Sequence, residues 1–155
     1  MVPGNHDIPL WEVIRRFASP LGRYRRFITG DLAPFFHDEE VAVLGINTAR
    51  SLTRKYGRIN QEQIAHAGEV FAGVDRTLTR VVVTHHPFEL PPGTRHRLVG
   101  RSAMAMRGLV AAGVALILSG HLPWPHPGVA ARGYRAGGPT RRRRRRLSAR
   151  GWIIW

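Results

Sequence analysis

The chain has 155 residues and a formal net charge of +14 at pH 7, because 24 Lys and Arg stand against 10 Asp and Glu. This length suits one domain with a real core, and the absence of cysteine excludes a disulfide framework and a thiolate metal site. The longest apolar run, residues 109–118, is too short to span a membrane, and no signal-peptide pattern opens the sequence. We therefore expect a cytoplasmic protein without a membrane span.

Helical and strand patterns alternate along most of the chain. Asn60 is a good helix cap, and β-branched or apolar runs of four to six residues are typical of buried strands. Apolar spacing predicts helices over residues 10–18, 61–72 and 104–112, and strands over residues 41–46, 80–84 and 114–118. This alternation predicts an α/β fold with parallel strands and helical crossovers.

Segments between these elements carry other signals. Residues 34–36 (Pro-Phe-Phe) are expected to form an irregular packing loop, and the acidic residues 38–40 are expected to form a solvated turn rather than a metal site. Asn47 follows a strand and suits a turn. His66 is interpreted as a packing or surface residue. His96, between two arginines, belongs to a basic loop that faces phosphate or solvent.

A basic patch follows the first helical pattern. Its arginines either meet an anionic substrate or form a solvated charged face. They are Arg15, Arg16, Arg23, Arg25 and Arg26.

Candidate metal ligands occur at three separate places. Asn5-His6-Asp7 lies near the start, His85 directly follows a predicted strand, and Gly120-His121 follows another. Imidazole nitrogens suit borderline metals and an amide oxygen can complete such a site. Because ligands bind at the carboxyl ends of strands in open α/β sheets, these segments are expected to meet there.

The motifs Gly4-Asn5-His6-Asp7, His85-x-Pro87 and Gly120-His121 resemble those of the calcineurin-like metallophosphoesterase superfamily, over about residues 1–122. The resemblance implies a β-sandwich flanked by helices, and hydrolysis of a phosphate mono- or diester by two metal ions, variously manganese, iron or zinc. It does not fix the substrate.

Carried over by motif, the resemblance implies that Asn5, His85 and His121 bind the second metal ion. His6 would stabilise or protonate the leaving oxygen, and Asp7 would hold His6. In the family the segment after the strand 41–46 lies close to the active site, so Asn47 is either a substrate contact or a turn residue. The family pattern is His-x-Pro, which selects His85 rather than its neighbour, so His86 is expected to pack or to face the pocket rim.

The sequence also departs from the family. The Asp-x-His and Gly-Asp motifs, which supply a bridging carboxylate, are expected upstream of Asn5 and are absent from this sequence, so the domain is expected to be incomplete at its amino-terminal end. The last motif, Gly-His-x-His, has Pro123 at its second histidine, and His126 is a poor substitute on a proline-rich path. These departures predict little or no activity, and a degenerate domain that binds a metal or anion is the alternative.

Residues 132–155 differ in character from residues 1–131. They contain nine arginines and no acid, including the run Arg141 to Arg146, and like charges in such a run repel each other. We expect a disordered tail. It is interpreted as a nucleic-acid-binding arm, as a localisation or membrane-surface signal, or, because 23 arginines accompany a single lysine, as a segment read in a shifted frame. The last interpretation is favoured, and the oligomeric state stays open.

Overall fold

A computed structural model describes residues 1–53, 55–90, 93–122, 128–129 and 152–154. One mixed sheet of six strands forms the centre, in the order β1-β2-β3-β4-β6-β5. The strands are Phe35–His37 (β1), Val41–Ile46 (β2), Thr79–Thr84 (β3), Leu116–Ser119 (β4), Gly128–Val129 (β5) and Trp152–Ile154 (β6). The helices are Val13–Ala18 (α1), Gly22–Phe27 (α2), Gln61–Ala72 (α3) and Ser102–Ala111 (α4), and Asn5–Asp7 form a single 3-10 turn.

The strands β2, β3 and β4 run parallel, with Leu44 opposite Val82 and Val82 opposite Ile117. The helices α3 and α4 connect these strands in sequence, as the alternating pattern predicts. The predicted α/β fold with parallel strands is therefore confirmed.

The main core lies between this sheet and the two longer helices. Side chains alternate between the faces of a strand, so Leu44 and Ile46 point to the same side, where Phe71 of α3 and Leu109 of α4 cover them. All four are almost completely buried. Burial of such side chains contributes about 1.5–3 kcal/mol each, which makes this layer the principal source of stability.

The opposite face of the sheet is covered less completely. A side chain at Gly45 would point to that side. Val2 and Pro34 approach so closely there that its Cβ atom would lie 2.8 Å from Val2 Cγ1. Val43 and Val83 on this face are only half-buried. The described residues form one sheet, and the second sheet of the expected sandwich is not among them.

The edges of the sheet differ from the sequence-based predictions. Residues 35–37 form the antiparallel edge strand β1, where an irregular loop was expected, because Gly45 donates its N–H to Pro34 and draws this segment onto β2. The short helix α2 was not predicted. The acidic turn is confirmed, since the Asp38 carboxylate accepts the N–H groups of Glu40 and Val41.

The Arg-rich segment is described only in part. Trp152–Ile154 pair in parallel with β4, so these three residues form a strand that the composition did not predict. Arg141 to Arg146 lie outside the described residues, and disorder of the remaining tail stays a prediction. Among the helices that can be described, none combines the length and the apolar character needed to cross a membrane.

Candidate metal centre

The carboxyl ends of β3 and β4 bring two histidines to one edge of the sheet. Thr84 and Ser119 are paired in register at the last position of each strand, and their hydroxyl oxygens lie 3.1 Å apart. Gly120 donates its N–H to the carbonyl oxygens of Thr84 (3.3 Å) and His85 (3.1 Å). The chain therefore leaves both strands at the same level, and His85 and His121 face each other as predicted.

The amide of Asn5 completes this group from the amino-terminal turn. Its Oδ1 lies 2.9 Å from His85 Nε2, and His121 Nδ1 lies 3.2 Å from the same nitrogen. Ligands that bind one ion through bonds of about 2.0–2.1 Å lie about 3.0–3.4 Å from each other. The two separations that meet at His85 Nε2 are therefore close to those of atoms that share a metal ion.

Gly4 sets the position of the His85 ring. A Cβ atom on Gly4 would lie 2.7 Å from His85 Cε1 and 2.8 Å from Nδ1, closer than real Cβ contacts come. The backbone of the amino-terminal turn therefore packs directly on the imidazole. The physical reason for glycine before Asn5 is this close approach.

His121 has an unusual backbone conformation. Its φ angle of 75° lies in the left-handed region, which few residues other than glycine adopt. Such a conformation costs about 1–3 kcal/mol and is concentrated at functional sites. Here it turns the imidazole back toward His85 immediately after β4.

The local environment keeps the imidazoles neutral. Burial lowers the pKa of His85, and the neighbouring charge of His121 lowers it further. Burial also lowers the pKa of His121, with additional contributions from His96 and His6. Because metal ligation requires a neutral imidazole with a free lone pair, this environment favours binding of a cation.

His86 adds a third imidazole to the group. It is completely buried, and its Nδ1 lies 2.7 Å from the hydroxyl of Thr48, while its Nε2 has no hydrogen-bond partner among the described residues. Burial and the charges on His85 and His121 lower the pKa of His86 to about 3, and the backbone carbonyl of Lys55, whose geometry is too poor for a hydrogen bond to Nε2, acts weakly in the opposite direction. His86 thus packs in the interior, one of its two predicted positions.

The predicted partnership of His6 and Asp7 is not formed. The Asp7 carboxylate accepts the N–H of Gly4 at 2.7 Å and makes no other hydrogen bond within the described part of the chain. Adjacent residues of a one-turn helix point in different directions, so the carboxylate caps the turn instead of orienting His6. His6 is exposed and still lies close enough to influence the pKa of both His85 and His121.

Asn47 has a structural role in this conformation. Its Oδ1 accepts the N–H of Ala49 at 2.9 Å, which forms a turn at the end of β2. Its side chain lines a cavity of about 300 Å³ that is bordered by Leu21 and Arg50, not by the histidines. The structure therefore gives Asn47 a contact as a turn residue.

The basic patch divides into separate environments. Arg16 is buried and donates from Nε to the carbonyl oxygen of Ser51 at 2.7 Å, so it ties α1 to the loop after β2. Arg15 and Arg23 lie within 4 Å of Glu12. Arg23 also lines a cavity of about 260 Å³ together with His6.

Sequence reasoning missed one contributor to the site. His96 is exposed, as expected for the basic loop, and its ring centroid lies 5.9 Å from that of His121. Thr48, which follows Asn47, was given no role. Its position one residue beyond Asn47, at the end of a strand parallel to the one before His85, was the signal that could have identified it.

Comparison with protein-family models and with curated proteins finds no match for this chain.

Proposed function

We propose that this chain binds a divalent metal ion through Asn5, His85 and His121 and uses it to hydrolyse phosphate esters. The observation that supports the proposal is the convergence of the three ligand atoms on one small volume, with separations of 2.9 and 3.2 Å. The order and spacing of the motifs, which resemble those of calcineurin-like metallophosphoesterases, supply the reaction class.

The residues around this group have distinct tasks in the proposed reaction. A divalent ion at this position would polarise a phosphoryl oxygen and make an attacking water more acidic. His6, exposed at the mouth of the 260 Å³ cavity, donates a proton to the leaving oxygen. Arg23 in the same cavity attracts the anionic ester. Asp7 holds the turn that carries Asn5 and His6.

Hydrolysis of bis(4-nitrophenyl) phosphate in the presence of Mn²⁺ or Zn²⁺ tests the proposal. We expect slow turnover that requires the metal, that is lost in His85→Ala, and that falls by about 10²-fold or more in His6→Ala because proton transfer is removed. His66→Ala is the matched control, since His66 is an exposed histidine on α3. Turnover that persists after removal of His85 would refute the proposed site.

Metal binding without turnover is the second candidate. It is favoured by the absence of any carboxylate from the cluster of potential ligands among the described residues, which consists of His85, His86 and His121. Phosphoesterase sites with two ions use carboxylates to hold and bridge them. Tight metal binding combined with no hydrolysis above the metal-only rate would favour this candidate.

A further inference from the structure

His86 is the feature of the site that the motif pattern leaves unused. Its side chain is completely buried, and burying a polar nitrogen without a partner costs about 1–3 kcal/mol. The neighbouring Gly57, with a positive φ of 61°, leaves the space that the His86 ring occupies, since a Cβ there would collide with His86 Nδ1. The fold thus makes room for a buried imidazole, and the part of the chain that the structure describes offers its Nε2 no hydrogen-bond partner.

The three histidine rings form a nearly equilateral group. Ring centroids are 4.9 Å apart for His85 and His86, 5.2 Å for His85 and His121, and 5.2 Å for His86 and His121. Three imidazoles bound to one tetrahedral zinc ion have centroids about 5 Å apart, given bonds of about 2.0–2.1 Å. This spacing is that of a single coordination shell.

The nitrogen atoms agree with the ring positions. One ring nitrogen from each of the three histidines lies within 4.8 Å of the other two. The pair His85 Nε2 and His121 Nδ1 at 3.2 Å already has the separation of about 3.0–3.4 Å expected for shared ligands.

Thr48 can fix the orientation that ligation requires. Histidines that bind metals commonly donate their other ring N–H to an oxygen acceptor, which sets the tautomer. The Thr48 hydroxyl lies 2.7 Å from His86 Nδ1 and suits this role. Donation from Nδ1–H leaves the lone pair on Nε2, for which no partner is found within the described ranges.

We propose that His86 is a metal ligand, so that His85, His86 and His121 hold one zinc ion and the Asn5 amide oxygen takes the exchangeable fourth position. Three neutral nitrogens without a carboxylate suit zinc better than manganese or magnesium, which prefer oxygen ligands. The amide oxygen is the weakest of the four donors and is the one that water or a phosphoryl oxygen replaces. This inference rests on the proposed function and adds a ligand that the motif pattern does not contain.

Cobalt substitution tests the proposal, because the visible absorption of Co²⁺ depends on its coordination geometry. Titration of the metal-free full chain with Co²⁺ is expected to saturate at one ion per chain and to give the intense visible absorption of tetrahedral cobalt. The proton NMR spectrum should show three paramagnetically shifted signals, one from the N–H of each imidazole that binds the cobalt ion. His86→Gln should weaken cobalt binding by more than about 100-fold, beyond the range for a residue that only orients a ligand.

Two further variants keep the test independent of folding defects in His86→Gln. Thr48→Val should weaken binding by about 10–100-fold and retain three imidazole signals. Asn5→Ala should retain the tetrahedral spectrum. His66→Gln is the control and should change nothing.

The outcomes separate this inference from the proposed function. Two imidazole signals, or a pale octahedral spectrum, would overturn the role of His86 and leave hydrolysis at Asn5, His85 and His121 untouched. Three signals without any ester hydrolysis would support the zinc site and contradict the phosphoesterase proposal. Failure to bind Co²⁺ or Zn²⁺ at all would overturn both.

Discussion

The imidazole of His85 is restricted on several sides, by the Gly4 backbone, by Asn5 and by His121. Each contact is short, so displacement of the ring by less than 1 Å would separate the ligand atoms. The geometry of the proposed site therefore depends on Gly4, although this residue has no side chain.

Gly4→Ala is expected to disrupt the site. The added methyl would meet His85 at 2.7–3.0 Å and push the ring away from Asn5 and His121. We expect a loss of about 1–3 kcal/mol in the free energy of unfolding, as for other overpacked positions, together with at least a tenfold loss of zinc affinity. Denaturant titration and calorimetry measure the two effects.

Gly30→Ala is the matched control for this substitution. A Cβ atom at Gly30 would meet nothing within 4 Å, so stability and zinc affinity should stay close to those of the parent chain. Equal zinc affinity in Gly4→Ala and Gly30→Ala would show that the contact between Gly4 and His85 does not set the geometry.

The buried His86 makes stability depend on pH. The folded chain holds its pKa at about 3, against 6.5 for an ordinary histidine, so between these values the unfolded chain takes up a proton that the folded chain does not. The free energy of unfolding should be unaffected by His86 above pH 6.5 and should fall by up to about 1.4 kcal/mol per pH unit below it.

Urea unfolding at pH 7.5 and pH 5.5, with a chelator present, measures this effect. We expect the chain to be less stable at pH 5.5 by about 1–2 kcal/mol. The difference should shrink in His86→Gln and persist in His66→Gln. Equal stability of the parent chain at both pH values would contradict the structure around His86.

The residues that could be predicted are those in recognisable motifs. Asn5, His85 and His121 follow from motif order and from their places near strand ends, and the structure brings them together. The bond from Asp7 to Gly4 could not be predicted, since it depends on the path of a single turn. The group formed by Thr48 and His86 depends on how β2 and β3 pair, and no short motif reveals that contact.

At the level of single elements, α3 shows how local sequence can determine a boundary. The side-chain oxygen of Asn60 accepts the N–H of Gln63 at 2.9 Å, and the Gln63 side chain accepts the N–H of Asn60 at 3.1 Å. This reciprocal capping begins the helix at the predicted residue, Gln61. These capping bonds are local in sequence, which explains why the pattern located the boundary, and the Gln63 side chain also donates to the carbonyl oxygen of Asn47 at 2.7 Å.

Asn60→Ala is expected to lower the free energy of unfolding by about 0.5–2 kcal/mol, because the Gln63 N–H at the start of α3 loses its acceptor, the Asn60 side-chain oxygen. Zinc affinity should stay unchanged, since the cap lies outside the metal centre. Gln61→Ala, at an exposed position of the first turn, should have little effect. Chemical denaturation of the three proteins tests this, and equal stability of all three would contradict the capping role.

Elements that depend on neighbours were harder to predict. Residues 35–37 are exposed, and they form a strand only because Gly45 and β2 offer free backbone groups beside them. The strand Trp152–Ile154 forms for the same reason, since β4 offers an edge. A composition that favours a loop or a charged tail cannot reveal a vacant sheet edge elsewhere in the chain.

On the scale of the whole molecule, apolar side chains on the amino-terminal segment remain outside the core. Trp11 is 83% exposed and Ile14 is 86% exposed, three positions apart. Exposed apolar groups of this size promote association. We expect the chain to self-associate in a concentration-dependent way.

Sedimentation of the parent chain and of Ile14→Glu measures this tendency. The substitution should reduce association without lowering the melting temperature, because the side chain is exposed and adds little to folding. Gln61→Glu, at an exposed position of α3, is the control and should leave association unchanged. A parent chain that stays monomeric at all concentrations would contradict the prediction.

The contact between Asn5 and His85 joins positions that are 80 residues apart. A metal ion bound by both would close a loop that contains β1, β2, α3 and β3, and would act as a reversible cross-link. The entropy of closing such a loop rises only with the logarithm of its length, so a single ion can hold so large a segment. Stability and metal concentration are then linked quantities: free metal at 100 times its dissociation constant would add about 2.7 kcal/mol, and the melting temperature would report the metal available.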